Sequence, residues 1–140
     1  MRILGMDIGT KRIGIAMSDE LLITAQALRT LERSTPEKDM EKINELIAAY
    51  SVREIVIGLP LHMNGTETPK TREVKEFAEF LKAHSTGGLP VTMWDERLTS
   101  VQAEKILLEA DTSRRRRRAV IDNVAAQLML QSYLDRKGAQ

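Results

Sequence analysis

The chain has 140 residues and no cysteine. Disulfides, thiolate metal sites and cysteine nucleophiles are thereby excluded, so any bound metal must be held by oxygen or imidazole. Imidazole is scarce too: the two histidines, His62 and His84, read as a loop residue and a helix-end residue. Aromatic residues make up 4% of the chain, which leaves little stacking surface for single strands. Trp94, Met63 and the other methionines read as core. No apolar run approaches the ~18 residues of a membrane span, and Met1 to Asp7 lacks the apolar centre of a signal peptide. A cytoplasmic protein without a membrane partner is expected. One sign of charge does not dominate either, since the net charge is +1.

What is present is ordinary for a globular protein, with 42% hydrophobic and 29% charged residues. One domain over residues 1–140 is expected. Arg2 to Asp7 and Gly14 to Ser18 are short apolar runs around a glycine turn, which predicts an antiparallel strand pair, and Ala25 to Leu31 a third strand. Thr35 and Pro36 then start a helix with Met40, Ile43, Ile47 and Tyr50 at helical spacing. Glu54 to Leu59 has the continuous β-branched pattern of a strand covered on both faces. After a loop containing Asn64-Gly65, Pro69 opens a helix with Val74, Phe77, Ala78 and Leu81 on its apolar side. Val91 to Trp94 is another strand. Thr99 and Gln102 match a capping box for a third helix that breaks at Asp111 to Ser113, and a last helix runs from about Arg116 to Arg136. Its buried stripe is expected to contain Ile121, Val124, Ala125 and Leu128. This order demands an α/β fold, a mixed sheet with helices on its faces.

Chemistry concentrates at three carboxylate positions. Asp7 ends an apolar strand between Gly5 and Gly9, whose missing side chains leave room for a ligand or for backbone. Read alone, Asp7-Ile8-Gly9-Thr10 also fits a turn aspartate or the phosphate loop of actin-like and sugar-kinase folds. The pair Asp95-Glu96 ends a later strand, just before Arg97. Asp122, on the last helix, aligns with Ala125, Ala126, Met129 and Tyr133, so it flanks an apolar stripe where an uncompensated charge is costly. Two strands and a helix thus supply an all-oxygen set suited to Mg²⁺ or Mn²⁺, and paired ions of this kind catalyse phosphoryl transfer without a protein nucleophile.

The segments Asp7-Ile8-Gly9-Thr10-Lys11-Arg12-Ile13-Gly14, Gly58-Leu59-Pro60-Leu61 with Asn64-Gly65-Thr66, Asp95-Glu96-Arg97-Leu98-Thr99-Ser100 and Asp122-x-x-Ala125-Ala126 resemble those of the YqgF/RuvX family. That family is described both as Holliday junction resolvases and as nucleases for the 5′ end of pre-16S rRNA. The resemblance spans nearly the whole chain, in order. It implies an RNase H-like fold, a five-stranded mixed sheet flanked by helices on both faces. It also implies catalytic and metal-binding roles for Asp7, Glu96 and Asp122. Side chains alternate along a strand, so Asp95 and Glu96 should point oppositely, and Glu96 is chosen as the ligand. Lys11, Arg12, Asn64, Arg97 and the run Arg114, Arg115, Arg116, Arg117 and Arg118 are the expected substrate contacts.

The expected activity is hydrolysis of phosphodiester bonds in structured nucleic acid, leaving 5′-phosphate and 3′-hydroxyl ends, with processing of pre-16S rRNA on the ribosome as the leading role. The alternatives are resolution of branched DNA, which needs a homodimer where an rRNA processor can be a monomer, and a non-catalytic rRNA-binding module. A two-domain phosphotransferase is disfavoured because 140 residues hold one such domain. Three retained carboxylates argue against a pure binder, which gains nothing from negative charge beside phosphate.

Arg114 to Arg118 should form a solvent-facing arm, loose without nucleic acid, because adjacent like charges repel and a helix N-terminus disfavours cations. Replacing three of these arginines is expected to weaken nucleic-acid binding similarly across sequences, and to lower the salt slope of log K by about 0.7 to 0.9 for each phosphate no longer neutralised. Binding isotherms at several salt concentrations measure this, and a triple variant with parental affinity and slope would make the arginines bystanders.

Overall fold

The computed structural model describes residues 1–98 and 114–138, leaving the side chains of 114–122 undescribed. Five strands form one sheet: β1 (Arg2–Ile8), β2 (Arg12–Ser18), β3 (Ala25–Glu32), β4 (Val52–Leu59) and β5 (Val91–Asp95). Their order is β3-β2-β1-β4-β5. The first three pair antiparallel, whereas β4 joins β1 and β5 joins β4 in parallel, which is the mixed five-stranded sheet expected. The helices described are α1 (Pro36–Tyr50), α2 (Pro69–His84) and α3 (Arg114–Gly138). The third helix expected from Thr99 and Gln102, and its break at Asp111 to Ser113, lie outside the described residues.

Local chemistry sets the helix boundaries. The Thr35 hydroxyl accepts from the Lys38 amide at 3.2 Å with Pro36 in the first turn, and α1 stops at Ser51 in the left-handed conformation. Thr68 and Thr71 form a reciprocal capping box at the start of α2, and the Thr71 hydroxyl also donates to the Pro60 carbonyl. The start of α2 is therefore tied to the end of β4.

Strand alternation sorts side chains into two layers. Leu4, Met6, Ile8, Ile55 and Ile57 join Met40, Ile43, Val74 and Leu81 under α1 and α2. Ile3, Ala16 and Val56 join Ala125, Ala126, Met129, Leu130 and Leu134 under α3. Both faces are covered. The buried stripe of α3 is rotated from the one expected: Val124 and Leu128 are only half-buried, and Ile121 is among the undescribed side chains. Polar side chains set that rotation. Gln127 Nε2 donates to the Ala25 carbonyl at 3.1 Å, and Gln131 Nε2 donates to the Ile23 carbonyl at 2.9 Å. The Gln131 Oε1 atom accepts from the Ala25 amide at 2.8 Å. Asn123, with its amide nitrogen toward the sheet, donates to the carbonyls of Ile15 at 3.1 Å and Arg29 at 2.7 Å. Residues 123, 127 and 131 thus make an amide ladder along one edge of α3.

Helix α3 begins at Arg114, so the backbone of Arg114 to Arg118 forms its first turns instead of a loose arm. Arginine is a good helix former and successive side chains diverge by about 100° around the axis. The packed stripe from Ala125 onward anchors a helix that then propagates back through the charged run.

The far end of α3 is held by Glu54 of β4. Its carboxylate accepts from the hydroxyls of Tyr133 and Thr92 and pairs with Lys137 Nζ at 3.2 Å. Burial pushes this carboxyl up, but the Tyr133, Thr92 and Lys137 contacts outweigh that and hold it below the usual glutamate range. Its stabilising contribution is therefore complete above the ordinary glutamate value and is lost as pH falls through the lower folded value. Glu54→Gln should cost about 1–3 kcal/mol at neutral pH, the scale of a charge-assisted buried network. Thermal melts of parent and variant should converge as the solution is acidified from pH 7 towards about pH 3; parallel curves throughout would contradict this account.

Candidate active site

Asp7 lies in the middle strand of the sheet, where β2 and β4 flank it on either side. Ile3 and Gly5 face α3, so alternation turns Asp7 to the same face. One step past the Met6–Ile57 pair, Asp7 comes level with Gly58 of β4. Glu96 follows the end of β5 in a single 3-10 turn, Glu96–Leu98, and folds its carboxylate back over Gly58. A Cβ at Gly58 would lie 2.7 Å from Glu96 Oε1, so only glycine leaves the carboxylate its place. Asp7 and Glu96 are both buried, at 6% and 8% exposure, on the α3 face at the C-terminal ends of β1 and β5, with Gly58 of the intervening β4 beneath the Glu96 carboxylate.

Asp122 is the third expected member. It stands one helical turn before Ala126, which is fully buried against the sheet, while the Asp122 side chain lies outside the described residues. The direction of α3 follows from its contacts: Tyr133 and Lys137 meet Glu54 near the start of β4, and Leu130 packs 2.9 Å from where a Gly5 Cβ would sit. The helix therefore runs antiparallel to β1, and its earlier residues approach the Asp7 end. Among the described residues no cluster of three or more metal-ligating side chains occurs, so the described donors are the two carboxylates. Buried, oxygen-only and like-charged, they fit a hard divalent cation, which offsets the cost of placing two anions together.

Asp95 is engaged elsewhere. Met93 packs on the α1 and α2 side and Trp94 on the α3 side, so Asp95 and Glu96 diverge. Asp95 binds the Arg97 guanidinium from two nitrogens, with Nη2 to Oδ2 at 2.7 Å, and this contact lowers its carboxyl below the usual range. Arg97 Nη1 also donates to the Met63 carbonyl at 3.1 Å, which fastens the loop after β4 to the end of β5. In that loop the Asn64 carboxamide oxygen accepts from the Thr66 amide at 3.0 Å and from its hydroxyl, shaping the turn. Met63 is 80% exposed at the loop tip and not part of the core as expected; its neighbours are committed to turn hydrogen bonds, so its side chain has no apolar layer to enter. Arg12 pairs with Glu32 across the β2–β3 ladder at 3.0 Å, while Lys11 is exposed at the β1–β2 turn. The side chains of Arg114 to Arg118 are undescribed.

The space at the neighbouring glycines serves packing. Gly5 admits Leu130 of α3, and Gly9 admits the Arg12 carbonyl, 2.6 Å from its notional Cβ. The residues that sequence reasoning missed are Gly58, Glu54 and the amide ladder. Only the ladder carries a local signal, three amide side chains at i, i+4 and i+8.

A family model described as RuvX, Holliday junction resolvase, matches residues 1–136. The chain is 54% identical over 138 residues to a Moorella thermoacetica protein named "Putative pre-16S rRNA nuclease", covering 99% of this chain and 97% of that one. A protein of the same name from Symbiobacterium thermophilum is 50% identical over 140 residues, which is 100% of this chain and 96% of that one. The structure of Thermus thermophilus RuvC in complex with a Holliday junction substrate is similar with a TM-score of 0.57 at 13% identity, covering 99% of this chain and 97% of that one. At that identity the likeness is one of fold, and the fold is RNase H-like.

Gly58→Ala tests the geometry directly. The added methyl group displaces Glu96, so Mn²⁺ affinity should fall roughly 10–100-fold, the loss typical of a disturbed ligand. Titration calorimetry with Mn²⁺ reads the change, and parental affinity in a folded Gly58→Ala protein would show that Glu96 does not hold the ion.

Proposed function

The chain belongs to the RuvX family of Holliday junction resolvases, and from that membership we propose that it is a divalent-metal-dependent endonuclease acting on structured nucleic acid, with the 5′ end of pre-16S rRNA as its substrate. The observation that carries the catalytic reading is the buried pair Asp7 and Glu96 facing α3 across Gly58. The choice of rRNA is supported by relatives of 50% identity or more, over nearly the full length, that are named for that substrate.

In this reading Asp7, Glu96 and Asp122 hold Mg²⁺ or Mn²⁺. When bound, such an ion supplies Lewis-acid stabilisation of the scissile phosphate and a water acidic enough to attack at neutral pH. The chain does the rest by position. The strand ends fix two carboxylates on one face, so no protein nucleophile is required. Arg97, clamped by Asp95 and by the Met63 carbonyl, keeps its charge at the rim. Lys11 and the arginines opening α3 meet phosphates on either side of the cut, with Asn64 shaping the adjoining loop. Contacts of that kind bind backbone without reading sequence.

The second reading, resolution of four-way DNA junctions, is favoured by the description of the family itself. It requires two paired sites, hence a homodimer, whereas cutting at one rRNA end is possible for a monomer bound to the pre-ribosome. Labelled pre-rRNA and junction DNA incubated side by side with Mg²⁺, Mn²⁺ or EDTA separate the two. Cleavage of pre-rRNA that needs metal is expected. Asp7→Asn, Glu96→Gln and Asp122→Asn should each slow it on the order of 10²-fold or more, as for loss of a group stabilising transition-state charge, while binding persists. Metal-independent cleavage, or full activity in the Asp7 variant, would end the proposal.

A further inference from the structure

On the face of the sheet opposite Asp7, a cavity of about 720 Å³ opens between the β1–β2 turn and α2. Its volume falls in the range of small-molecule sites. The chain has two phenylalanines, Phe77 and Phe80, and both line this cavity half-buried. Their rings are held: Phe80 stacks on His84 with centroids 4.2 Å apart, and the Arg33 guanidinium lies 5.3 Å from the Phe77 centroid. Arg33 also donates to the Gly9 carbonyl at 2.8 Å, tying this wall to a turn that starts two residues beyond Asp7.

The charges in the cavity are divided. Lys11 and Arg33 stand on the turn side, where the one carboxylate, Glu32, is paired with Arg12 at 3.0 Å, and Glu73 and Glu76 stand on the α2 side. An occupant complementary to this wall is anionic at one end, flat in the middle, and rich in neutral hydrogen-bond donors at the other. We propose that the cavity receives a single guanine nucleotide, supplied by the strand being cut, and this inference rests on the nuclease reading above. The phosphate meets Lys11 and Arg33, and the base lies against the phenylalanines and the guanidinium plane, as unstacked RNA bases do on aromatic and arginine surfaces. A carboxylate accepts two parallel N–H groups, and guanine alone presents two adjacent donors on its pairing edge. Adenine and cytosine offer one amine beside an acceptor, and uracil one donor between carbonyls. Both phenylalanines thus share one position, while Trp94 and Tyr133 pair on the α3 face, and Arg33 of the cavity wall is bonded to Gly9, two residues beyond Asp7.

Binding is measured on the Asp7→Asn protein, which keeps the strand intact. Two short single-stranded RNAs serve as probes, one all uridine and one with a single central guanosine, alongside free guanosine monophosphate. The guanosine strand should bind ~10-fold tighter than oligo-uridine, the scale of one stacked base. That preference should vanish in Phe80→Leu, which keeps apolar volume without a flat ring, and in Glu76→Ala, at an exposed position where folding is not at risk. Equal affinity for the two strands, or a preference surviving Glu76→Ala, overturns the proposal. If guanosine monophosphate shifts backbone amide signals at the cavity while the strands bind alike, the ligand is a free nucleotide and the assignment to the substrate strand falls. Cleavage of pre-rRNA by the parent protein is followed in parallel. Cutting without a guanosine preference refutes the cavity alone, and a guanosine preference without cutting refutes the nuclease reading alone.

Discussion

Helix α3 crosses the sheet with a polar grip at each side, and the arrangement of the acidic edge depends on it. Apolar packing of Ala125, Ala126, Met129 and Leu130 supplies the driving force for docking, but such packing tolerates sliding and rotation. Hydrogen bonds to carbonyls at fixed positions do not. The amide ladder of Asn123, Gln127 and Gln131 registers the helix on β2, β3 and the turn between them, while Glu54 registers its far end on β4. Asp122 adjoins the first rung of that ladder. Its axial position is thereby set by hydrogen bonds that begin at the next residue, Asn123, and continue along the helix to Gln131.

A second constraint is steric. Gly5 and Gly58 sit on the same face of adjacent strands, and each is filled by a neighbour: Leu130 enters over one and the Glu96 carboxylate over the other. The first approach brings α3 close to β1, and the second lets an acid from β5 fold back towards the centre of the sheet. A carboxylate at the end of a strand would otherwise stay at the rim, as the half-buried Asp95 does in its pair with Arg97. The 3-10 turn over Glu96–Leu98 and the missing side chain at Gly58 convert an edge acid into a buried one beside Asp7.

Parallel pairing of β1 with β4 places the ends of both strands at one edge, and everything reactive in the described residues gathers there. The β1–β2 turn with Lys11, the loop fastened by Arg97 and the end of β5 with Glu96 all emerge on that side. The two faces of the edge differ: one carries the carboxylates under α3, the other the cavity lined by Phe77 and Phe80.

Much of this is legible in the residues themselves. Periodicity and caps locate five strands and three of the helices, because burial on one or two faces and the capping chemistry of Thr35, Pro36 and Pro69 are local properties. Alternation alone separates Asp95 from Glu96. The four motif segments carry the family. Other features depend on which elements meet. The vacancy at Gly58 has meaning only once Glu96 lies over it, and a buried Glu54 reads as a strand-end charge until Tyr133, Thr92 and Lys137 surround it. The rotation of α3 escapes the sequence because an apolar stripe defines a broad arc, and amides hydrogen-bonded to distant carbonyls choose the angle within it. Gathering Phe77 and Phe80 with Lys11 and Arg33 is likewise a matter of tertiary structure, since the turn and α2 are far apart along the chain and only the sheet brings them to one edge.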